Sequence, residues 1–280
     1  MNGIQLREVF DTVAALYDRA RPRYPSALFD DLAELTGIRS GARVLEIGPG
    51  TGQATLTLAT RGYSITAVEL GRHLAAHARD KMASFAGVQI ENADFETWPL
   101  PAEPFDLVFA ATAFHWIGRE VGERKSAGAL REGGALAVVT TTHVADDDED
   151  FWIGIQGCYE RHVPGTKPGR RLPRIDGVRD VCDEIGVTGW FESPVLRQYS
   201  CDTSYTTEQY LDLLHTHSNH IALEPDVRAS LLDAVRTLVE ARPSGRVTVR
   251  YLFRLAIARK RASHSHAAER TEVARHLRHD

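Results

Sequence analysis

A short glycine-rich segment holds the residues of this chain whose types and spacing are best suited to chemistry. Gly48, Gly50 and Gly52 alternate along the chain and follow an acidic residue, Glu46. A loop with so few side chains lets a ligand lie directly against the backbone. A phosphate-binding dinucleotide fingerprint needs a glycine at the sixth position, where this chain has Gln53. Because a carboxylate repels phosphate and attracts ammonium, the segment predicts a site for a ligand with an ammonium group.

The elements that position this loop can be predicted from the apolar pattern. Residues 43–47 form a short apolar run that is typical of a buried parallel strand, and residues 53–61 have the composition of a helix. The first amides of that helix then point at the ligand. Three more strands are predicted at βαβ spacing, at residues 64–70, 88–92 and 105–110.

Taken in order, these motifs resemble the class I S-adenosylmethionine (SAM)-dependent methyltransferases. The segment 46–52 is similar to the family's first motif, and Glu69 ends the second strand 23 residues after Glu46. The resemblance implies SAM as cofactor, with Glu69 on both ribose hydroxyls, because a carboxylate can accept two hydrogen bonds from a cis-diol. It also implies that Asp94 binds the adenine amino group and that Phe95 flanks the ring.

The remaining apolar runs complete the architecture that the resemblance implies. A helix is predicted over 118–131, followed by a glycine-pair turn and a fifth strand over 135–142; the sixth strand is placed at about 195–200 and the seventh at about 247–258. In this fold the seventh strand inserts antiparallel. The predicted class is α/β, a Rossmann-like seven-stranded mixed sheet with helices on both faces and a helical lid, and the ligand is expected at the carboxyl ends of the first strands.

The chain is predicted to form a single methyltransferase domain over 1–280. Residues beyond those needed for the strands and their helices are concentrated at 143–190 and 202–244. We interpret these two segments as lid insertions that cover the acceptor. Residues 1–36 are expected to form helices that cover the cofactor. The histidine- and arginine-rich segment 260–280 is expected to be a flexible tail.

The N-terminal segment carries a second resemblance to small-molecule methyltransferases. A helix with the pair Tyr17-Asp18 precedes the basic-Pro-Tyr-Pro segment 21–25, which in the family folds over the bound cofactor. Tyr17 is a candidate to cover the sulfonium, since an aromatic face attracts a cation. The alternative is a packing helix with an exposed tyrosine.

The triplet Phe114-His115-Trp116 after the fourth strand is similar to a segment of the trans-aconitate methyltransferase-like group. That position faces both methyl donor and acceptor in the group. With an ordinary pKa of about 6.5, His115 is a candidate general base for an acceptor hydroxyl or amine. The alternative is structural: His115 holds the loop through a backbone hydrogen bond and Trp116 packs against the lid.

Acceptor-binding candidates lie in the insertions. Trp152 is predicted either to line an apolar wall or to pack within the lid, and Arg170 either to pair with a substrate carboxylate or to be exposed. The segment Thr216-His217-Ser218 follows a helix that starts at Thr207 and resembles a Thr-x-Ser segment near the acceptor in the same group. One or two residues of the cluster 214–220 are expected to face the substrate. The full set of expected cofactor contacts is Tyr17, Glu46, Gly48, Gly50, Gly52, Glu69, Leu70, Asp94, Phe95 and Thr112. The expected acceptor contacts are Phe114, Trp116, Trp152, Arg170, Thr216 and His217.

The composition of the chain bears on its partners and its cellular compartment. The net charge of −5 argues against a nucleic-acid partner. Three scattered cysteines favour the cytoplasm and show no metal-ligand spacing, and no apolar run approaches the length of a membrane span.

The expected activity is methyl transfer to an O or N atom of a small-molecule acceptor of carboxylate or secondary-metabolite type. The alternatives are a nucleic-acid or protein methyltransferase, a nicotinamide oxidoreductase, which the incomplete fingerprint disfavours, and a SAM-binding protein without turnover. The sequence makes no prediction of oligomeric state.

Overall fold

The computed structural model describes residues 14–262, so that most of the expected tail at 260–280 and the first thirteen residues of the 1–36 segment lie outside the described residues. The strands are β1 (Arg43–Ile47), β2 (Ser64–Glu69), β3 (Val88–Asn92), β4 (Phe105–Ala111), β5 (Leu130–Val144), β6 (Val195–Thr206) and β7 (Arg246–Arg259). The α-helices are α1 (Ala14–Ala20), α2 (Ser26–Thr36), α3 (Gln53–Thr60), α4 (Arg72–Met82), α5 (Arg119–Ala129), α6 (Glu149–His162), α7 (Thr207–His215), α8 (Ser218–Ile221) and α9 (Pro225–Glu240).

The seven strands form one sheet in the order β3-β2-β1-β4-β5-β7-β6. Strands β1 to β5 pair in parallel, whereas β7 runs antiparallel to both β5 and β6. This confirms the predicted Rossmann-like mixed sheet with an antiparallel seventh strand. The chain order reverses beside β1, which makes the carboxyl ends of β1 and β4 a topological switch point where open α/β sheets bind ligands.

Alternation along the central strands sends apolar side chains to both faces of the sheet. On β4, Leu107 and Phe109 join a core shared with the helices α2, α3 and α4, while Val108 and Ala110 join a second core on the opposite face. Strands buried on both faces have near-continuous apolar sequences, which is why these runs can be recognised without a period-two pattern.

The strand β5 differs most from its predicted bounds of 135–142. It starts at Leu130, because helix α5 ends at Ala129 rather than at 131, and the glycine pair lies in an irregularity of the strand instead of a turn before it. A Cβ on Gly134 would lie 3.0 Å from Arg131 O and 3.2 Å from Asp106 O, so the neighbouring backbone needs a glycine there. Strands β6 and β7 are also longer than predicted, since β6 pairs with β7 from Val195 to Thr206, opposite residues 246–257.

The segment 143–190 divides between the two faces of the sheet. Helix α6 packs against α9, where Gly154 gives room for Leu238, and its residues Phe151 and Trp152 join the core on the α2 face. The later residues Cys182 and Ile185 are buried on the opposite face. That half of the predicted lid therefore covers the sheet and not the ligand edge.

Candidate active site

A pocket with a volume of about 320 Å³ opens at the carboxyl ends of β1, β2 and β4. It lies at the switch point of the sheet, beneath helix α1 and the loop between α7 and α8. The residues lining it are Tyr17, Arg21, Tyr24, Glu46, Ile47, Gly48, Pro49, Gly50, Thr51, Gln53, Ala54, Val68, Glu69, Leu70, Leu74, Ala93, Asp94, Phe95, Ala111, Thr112, Ala113, His115, Trp116, Ile117, His217, Ser218 and Asn219.

The glycine loop is shaped by close approach and by left-handed backbone. Gly48 has φ +64°, and a Cβ there would stand 2.6 Å from the Ala113 side chain. Its amide donates to Val68 O at 2.9 Å, which fixes the loop to β2. Gly52, with φ +80°, caps helix α3 and does not line the pocket. The loop therefore presents backbone to the pocket at Gly48 and Gly50 and uses Gly52 to start the helix.

The buried carboxylate of Glu69 connects two loops at the floor of the pocket. Its Oε2 accepts a hydrogen bond from the Gly50 amide at 2.9 Å, and its Oε1 accepts one from the Gly71 amide at 2.8 Å. The side chain is thus held in place by protein amides before any ligand arrives.

Glu46 lies in the pocket wall with 1% of its surface exposed, and its Oε2 has no hydrogen-bond partner among the described residues. Burial raises its pKa to about 8, and the negative charge of Glu69 adds to that effect. A buried polar atom without a hydrogen-bond partner destabilises a site until a ligand supplies one. The position fits an ammonium group of the ligand.

Asp94 and Phe95 follow β3 and line the pocket together with Leu70. The Oδ1 of Asp94 accepts a hydrogen bond from the Glu96 amide at 3.0 Å, and its carbonyl accepts one from Trp98 N at 2.8 Å. Phe95 is 5% exposed. This tight turn places both Asp94 and Phe95 in the lining of the pocket.

Thr112 is the only non-glycine residue of the described chain with positive φ, at 56°. Its amide donates to Val139 O at 2.7 Å, and its hydroxyl lies 3.2 Å from Tyr24 Oη and 3.3 Å from Thr141 Oγ1. Strain of this kind persists only where the surroundings over-determine it, and it concentrates at functional sites. The sequence predicts Thr112 as a contact but gives no sign of its backbone geometry.

Helix α1 is fastened over the glycine loop by Asp18. The carboxylate of Asp18 pairs with Lys81 of α4 and accepts a hydrogen bond from Thr51 Oγ1 at 3.0 Å. Its backbone carbonyl accepts a hydrogen bond from the Gln53 amide group at 3.1 Å. These contacts place Tyr17 in the wall of the pocket.

The mouth of the pocket carries three more of the predicted residues. His115 is exposed there, with its ring 4.8 Å from that of Trp116, and His217 lies opposite on the loop before α8. Burial lowers the pKa of His217 well below its ordinary value, and Arg21 and His220 add to the effect. The predicted contacts Phe114 and Thr216 are buried behind this surface and do not line the pocket.

Two predicted acceptor contacts lie away from the pocket. Trp152 is 7% exposed, packs edge-on against His143 at 4.4 Å between ring centroids, and donates through Nε1 to Asp146 Oδ1 at 2.9 Å. Arg170 is exposed on a loop after α6. Trp152 therefore packs in the core, because the apolar face of helix α6 lies against the sheet. Arg170 is exposed, because it lies on the loop that follows this helix.

Sequence reasoning did not assign ligand contacts to Arg21, Tyr24, Ser218 or Asn219, which all line the pocket. The signal for the first two was present in the basic-Pro-Tyr-Pro segment, which places both on the crossing from α1 to α2. Ser218 and Asn219 belong to the cluster 214–220 that the Thr-x-Ser resemblance singles out, and the packing of α7 against α1 brings them to the pocket.

Two further properties of residues 14–262 bear on the chemistry. In that part of the chain, no group of three or more His, Cys, Asp and Glu side chains is arranged to hold a metal ion. Nor does any helix in the same range have the length and apolarity needed to span a membrane.

Comparison with known proteins gives the family. Residues 44–134 match the family described as a methyltransferase domain. The chain is 33% identical over 151 residues to an uncharacterized methyltransferase of Anoxybacillus flavithermus, a match that covers 51% of this chain and 70% of the relative. It is 27% identical over 238 residues to an uncharacterized methyltransferase of Mycobacterium tuberculosis, covering 84% of this chain and 87% of the relative.

The fold is shared with a methyltransferase structure from Anaeromyxobacter dehalogenans, at a TM-score of 0.57 and 24% identity, covering 86% of this chain and 97% of the other. The matched segment 44–134 runs from β1 into β5 and contains the glycine loop, Glu69 and Asp94. The chain belongs to the class I SAM-dependent methyltransferases.

Proposed function

We propose that this methyltransferase transfers the methyl group of SAM to an oxygen or nitrogen atom of a small-molecule acceptor. The observation that carries the proposal is a pocket at the sheet's switch point that helix α1 and the α7–α8 segment line together with the glycine loop. Its volume of about 320 Å³ is at the small end of the range for ligand pockets, about 300 to 1,000 Å³. Such a site suits a cofactor and a compact acceptor, and the net charge of −5 does not favour a polyanionic nucleic acid.

The residues of the pocket fit the cofactor. Glu46 offers a buried carboxyl oxygen without a hydrogen-bond partner among the described residues, and Glu69 offers a carboxylate held in place by the Gly50 and Gly71 amides. The glycine loop lines the pocket with backbone at Gly48 and Gly50. When bound, SAM supplies an activated methyl group on a sulfonium. Tyr17 is proposed to lie over that cation, and Asp94 with Phe95 to hold the adenine.

The chemistry left to the protein is orientation, exclusion of water and control of one proton. Tyr24 and Thr112 present linked hydroxyls to the pocket, and burial keeps the pKa of Tyr24 above its ordinary value, so that its phenol remains a donor. Positioning alone can supply most of the acceleration when the acceptor is already ionised. For an acceptor hydroxyl or amine, His115 at the pocket mouth is the proposed base.

The test is a methyl-transfer assay with purified protein and labelled SAM. One panel contains small carboxylic acids, phenols and heterocyclic amines, and the other contains total RNA and unfolded protein. We expect label only in small molecules, and none with a Glu69→Ala control. Label only in RNA or protein would contradict the proposal, as would cofactor binding without transfer to any acceptor. Full turnover by His115→Ala at saturating acceptor would remove the base role from that residue.

A further inference from the structure

Thr112 follows strand β4 with a left-handed backbone conformation, at φ 56°. This conformation is uncommon for any residue but glycine, and for a β-branched side chain it is an outlier, because the branched Cβ crowds the backbone. The strand pairing continues up to this residue, since the Thr112 amide donates to Val139 O on β5 at 2.7 Å. A threonine therefore carries a backbone cost here that a glycine would avoid.

The turn that begins at Thr112 brings the following residues against the glycine loop. A Cβ on Gly48 would lie 2.6 Å from the Ala113 side chain, so the two loops are in direct contact. Phe114 is 2% exposed and joins the second core of the sheet. With these two side chains held, residues 115–117 line the pocket. The chain thus leaves the sheet at the left-handed residue and forms a wall of the pocket.

The side chain of Thr112 connects two other elements through hydroxyl groups. Its Oγ1 lies 3.2 Å from Tyr24 Oη, on the crossing between α1 and α2, and 3.3 Å from Thr141 Oγ1 on β5. Within residues 14–262, the contact with Thr112 is the one hydrogen bond of the Tyr24 hydroxyl. The ring of Tyr24 packs edge-on against Phe29 and Phe253, at 6.3 and 5.8 Å between centroids, and burial raises the pKa of its phenol. Thr112 therefore fixes the polar end of a residue whose ring is held by the core.

The strand order places this wall beyond the residues proposed to hold the cofactor. Glu46 lies on β1, Glu69 ends β2, and Asp94 follows β3. In the sheet order β3-β2-β1-β4, strand β4 lies on the side of β1 that is opposite to β2 and β3. Both Tyr24 and Thr112 line the pocket. A change at Thr112 is therefore expected to act next to the cofactor and to spare the three carboxyl groups proposed to bind it.

We propose that Thr112 is a positioning residue for methyl transfer, which holds the Tyr24 hydroxyl and the 113–117 wall in place. This inference rests on the proposed function and adds a residue that acts on turnover through another side chain. Threonine offers the hydroxyl at the cost of strain, whereas glycine offers the conformation without the hydroxyl. Misplacement of reacting groups by about 1 Å can lower a rate by about a hundredfold, so the position of this wall affects turnover.

The first test measures the strain in variants of the full chain that all lack the hydroxyl: Thr112→Gly, Thr112→Ala and Thr112→Val. At an ordinary strand residue, valine is more favourable than glycine. At a left-handed residue that order is reversed, so we expect melting temperatures to fall from glycine through alanine to valine, by about 2 °C or more in total. A valine variant that melts at or above the glycine variant would overturn the inference, because the threonine would then carry no cost.

The second test separates the hydroxyl from the shape of the side chain. Turnover is measured with labelled SAM and the acceptor that the small-molecule panel identifies. We expect Thr112→Ser to keep kcat within about threefold of wild type and Thr112→Val to lower it by about tenfold or more, with S-adenosylhomocysteine affinity unchanged in both. Tyr24→Phe should lower kcat as Thr112→Val does, and the double variant should fall no further, because coupled residues are not additive. Thr60→Val is the control: it removes an exposed hydroxyl from α3 and should leave kcat unchanged.

The outcomes distinguish this inference from the proposed function. Cofactor binding by the wild type without transfer to any acceptor would contradict the proposed function, and a role of Thr112 in turnover with it. Wild-type turnover that Thr112→Val leaves unchanged, or that Thr112→Ser lowers equally, would overturn the inference alone. Loss of S-adenosylhomocysteine affinity in step with kcat would also overturn it, because Thr112 would then be the cofactor contact that the sequence predicts. An additive loss in the double variant would refute action through Tyr24.

Discussion

At the scale of single residues, the carboxylate of Glu69 is expected to have two tasks. Its oxygens accept the Gly50 and Gly71 amides, and they are expected to accept two ribose hydroxyls as well. Glu69→Ala removes both charge-assisted bonds to the cofactor and should weaken its binding by about 2–4 kcal/mol. Calorimetry with S-adenosylhomocysteine measures this effect, with Glu34→Ala, an exposed acid on α2, as control. An unchanged dissociation constant would contradict the assignment.

Glu46 makes cofactor binding sensitive to pH. Its pKa of about 8 means that the free protein carries this carboxyl mainly protonated at pH 7. An ammonium group placed beside it stabilises the charged form, so we expect binding at pH 7 to release close to one proton. Calorimetry in two buffers of different ionisation enthalpy counts that proton. The release should fall toward zero above pH 8 and be absent from Glu46→Gln, whereas equal proton counts for both proteins would refute the coupling.

At the scale of elements, the attachment of α1 decides how well the pocket is closed. Asp18 holds this helix to the glycine loop through Thr51 and Gln53, and to α4 through Lys81. Asp18→Ala removes the side-chain contacts with Thr51 and Lys81 and keeps the backbone bond with Gln53. We expect about tenfold faster release of S-adenosylhomocysteine in stopped-flow measurements, which corresponds to about 1.4 kcal/mol. Asp30→Ala removes an exposed ion pair with Arg61 from the next helix and should leave the release rate unchanged. Equal rates for wild type and Asp18→Ala would show that α1 does not gate the cofactor.

The elements that the sequence predicts best are those fixed by local pattern. The first four strands and the glycine loop come from apolar runs and glycine spacing, and they agree with the structure within a few residues. The start of β5 could not be placed, because Gly133 and Gly134 are equally typical of a turn and of an irregular strand. The surroundings of Trp152 and Arg21 could not be predicted from the sequence. Whether an aromatic ring packs in the core, or a cation pairs with a carboxylate, depends on segments far away in the chain.

At the scale of the whole molecule, one ion cluster joins the sheet to the segment that crosses its far face. Arg254 on β7, with its side chain 3% exposed, binds Asp183 through two nitrogens at 2.7 Å and Asp180 at 2.9 Å. Thr140 of β5 donates to Asp180 at 2.7 Å. The hydrogen bonds from Arg254 lower the pKa of Asp183 to about 2, although partial burial opposes them.

This shift predicts how stability depends on pH. The folded-state pKa of about 2 lies below the ordinary value of 3.8, so the pair stabilises the fold above pH 4 and loses its effect as the pH falls from 4 to 2. We expect Asp183→Asn to lower the free energy of unfolding by about 2 kcal/mol at pH 7. In urea titrations the difference from wild type should stay constant down to about pH 5 and shrink below it. Asp202→Asn breaks an exposed pair with Arg250 and should cost less than about 1 kcal/mol. A difference for Asp183→Asn that persists unchanged at pH 3 would mean that packing, and not charge, ties the crossing segment to the sheet.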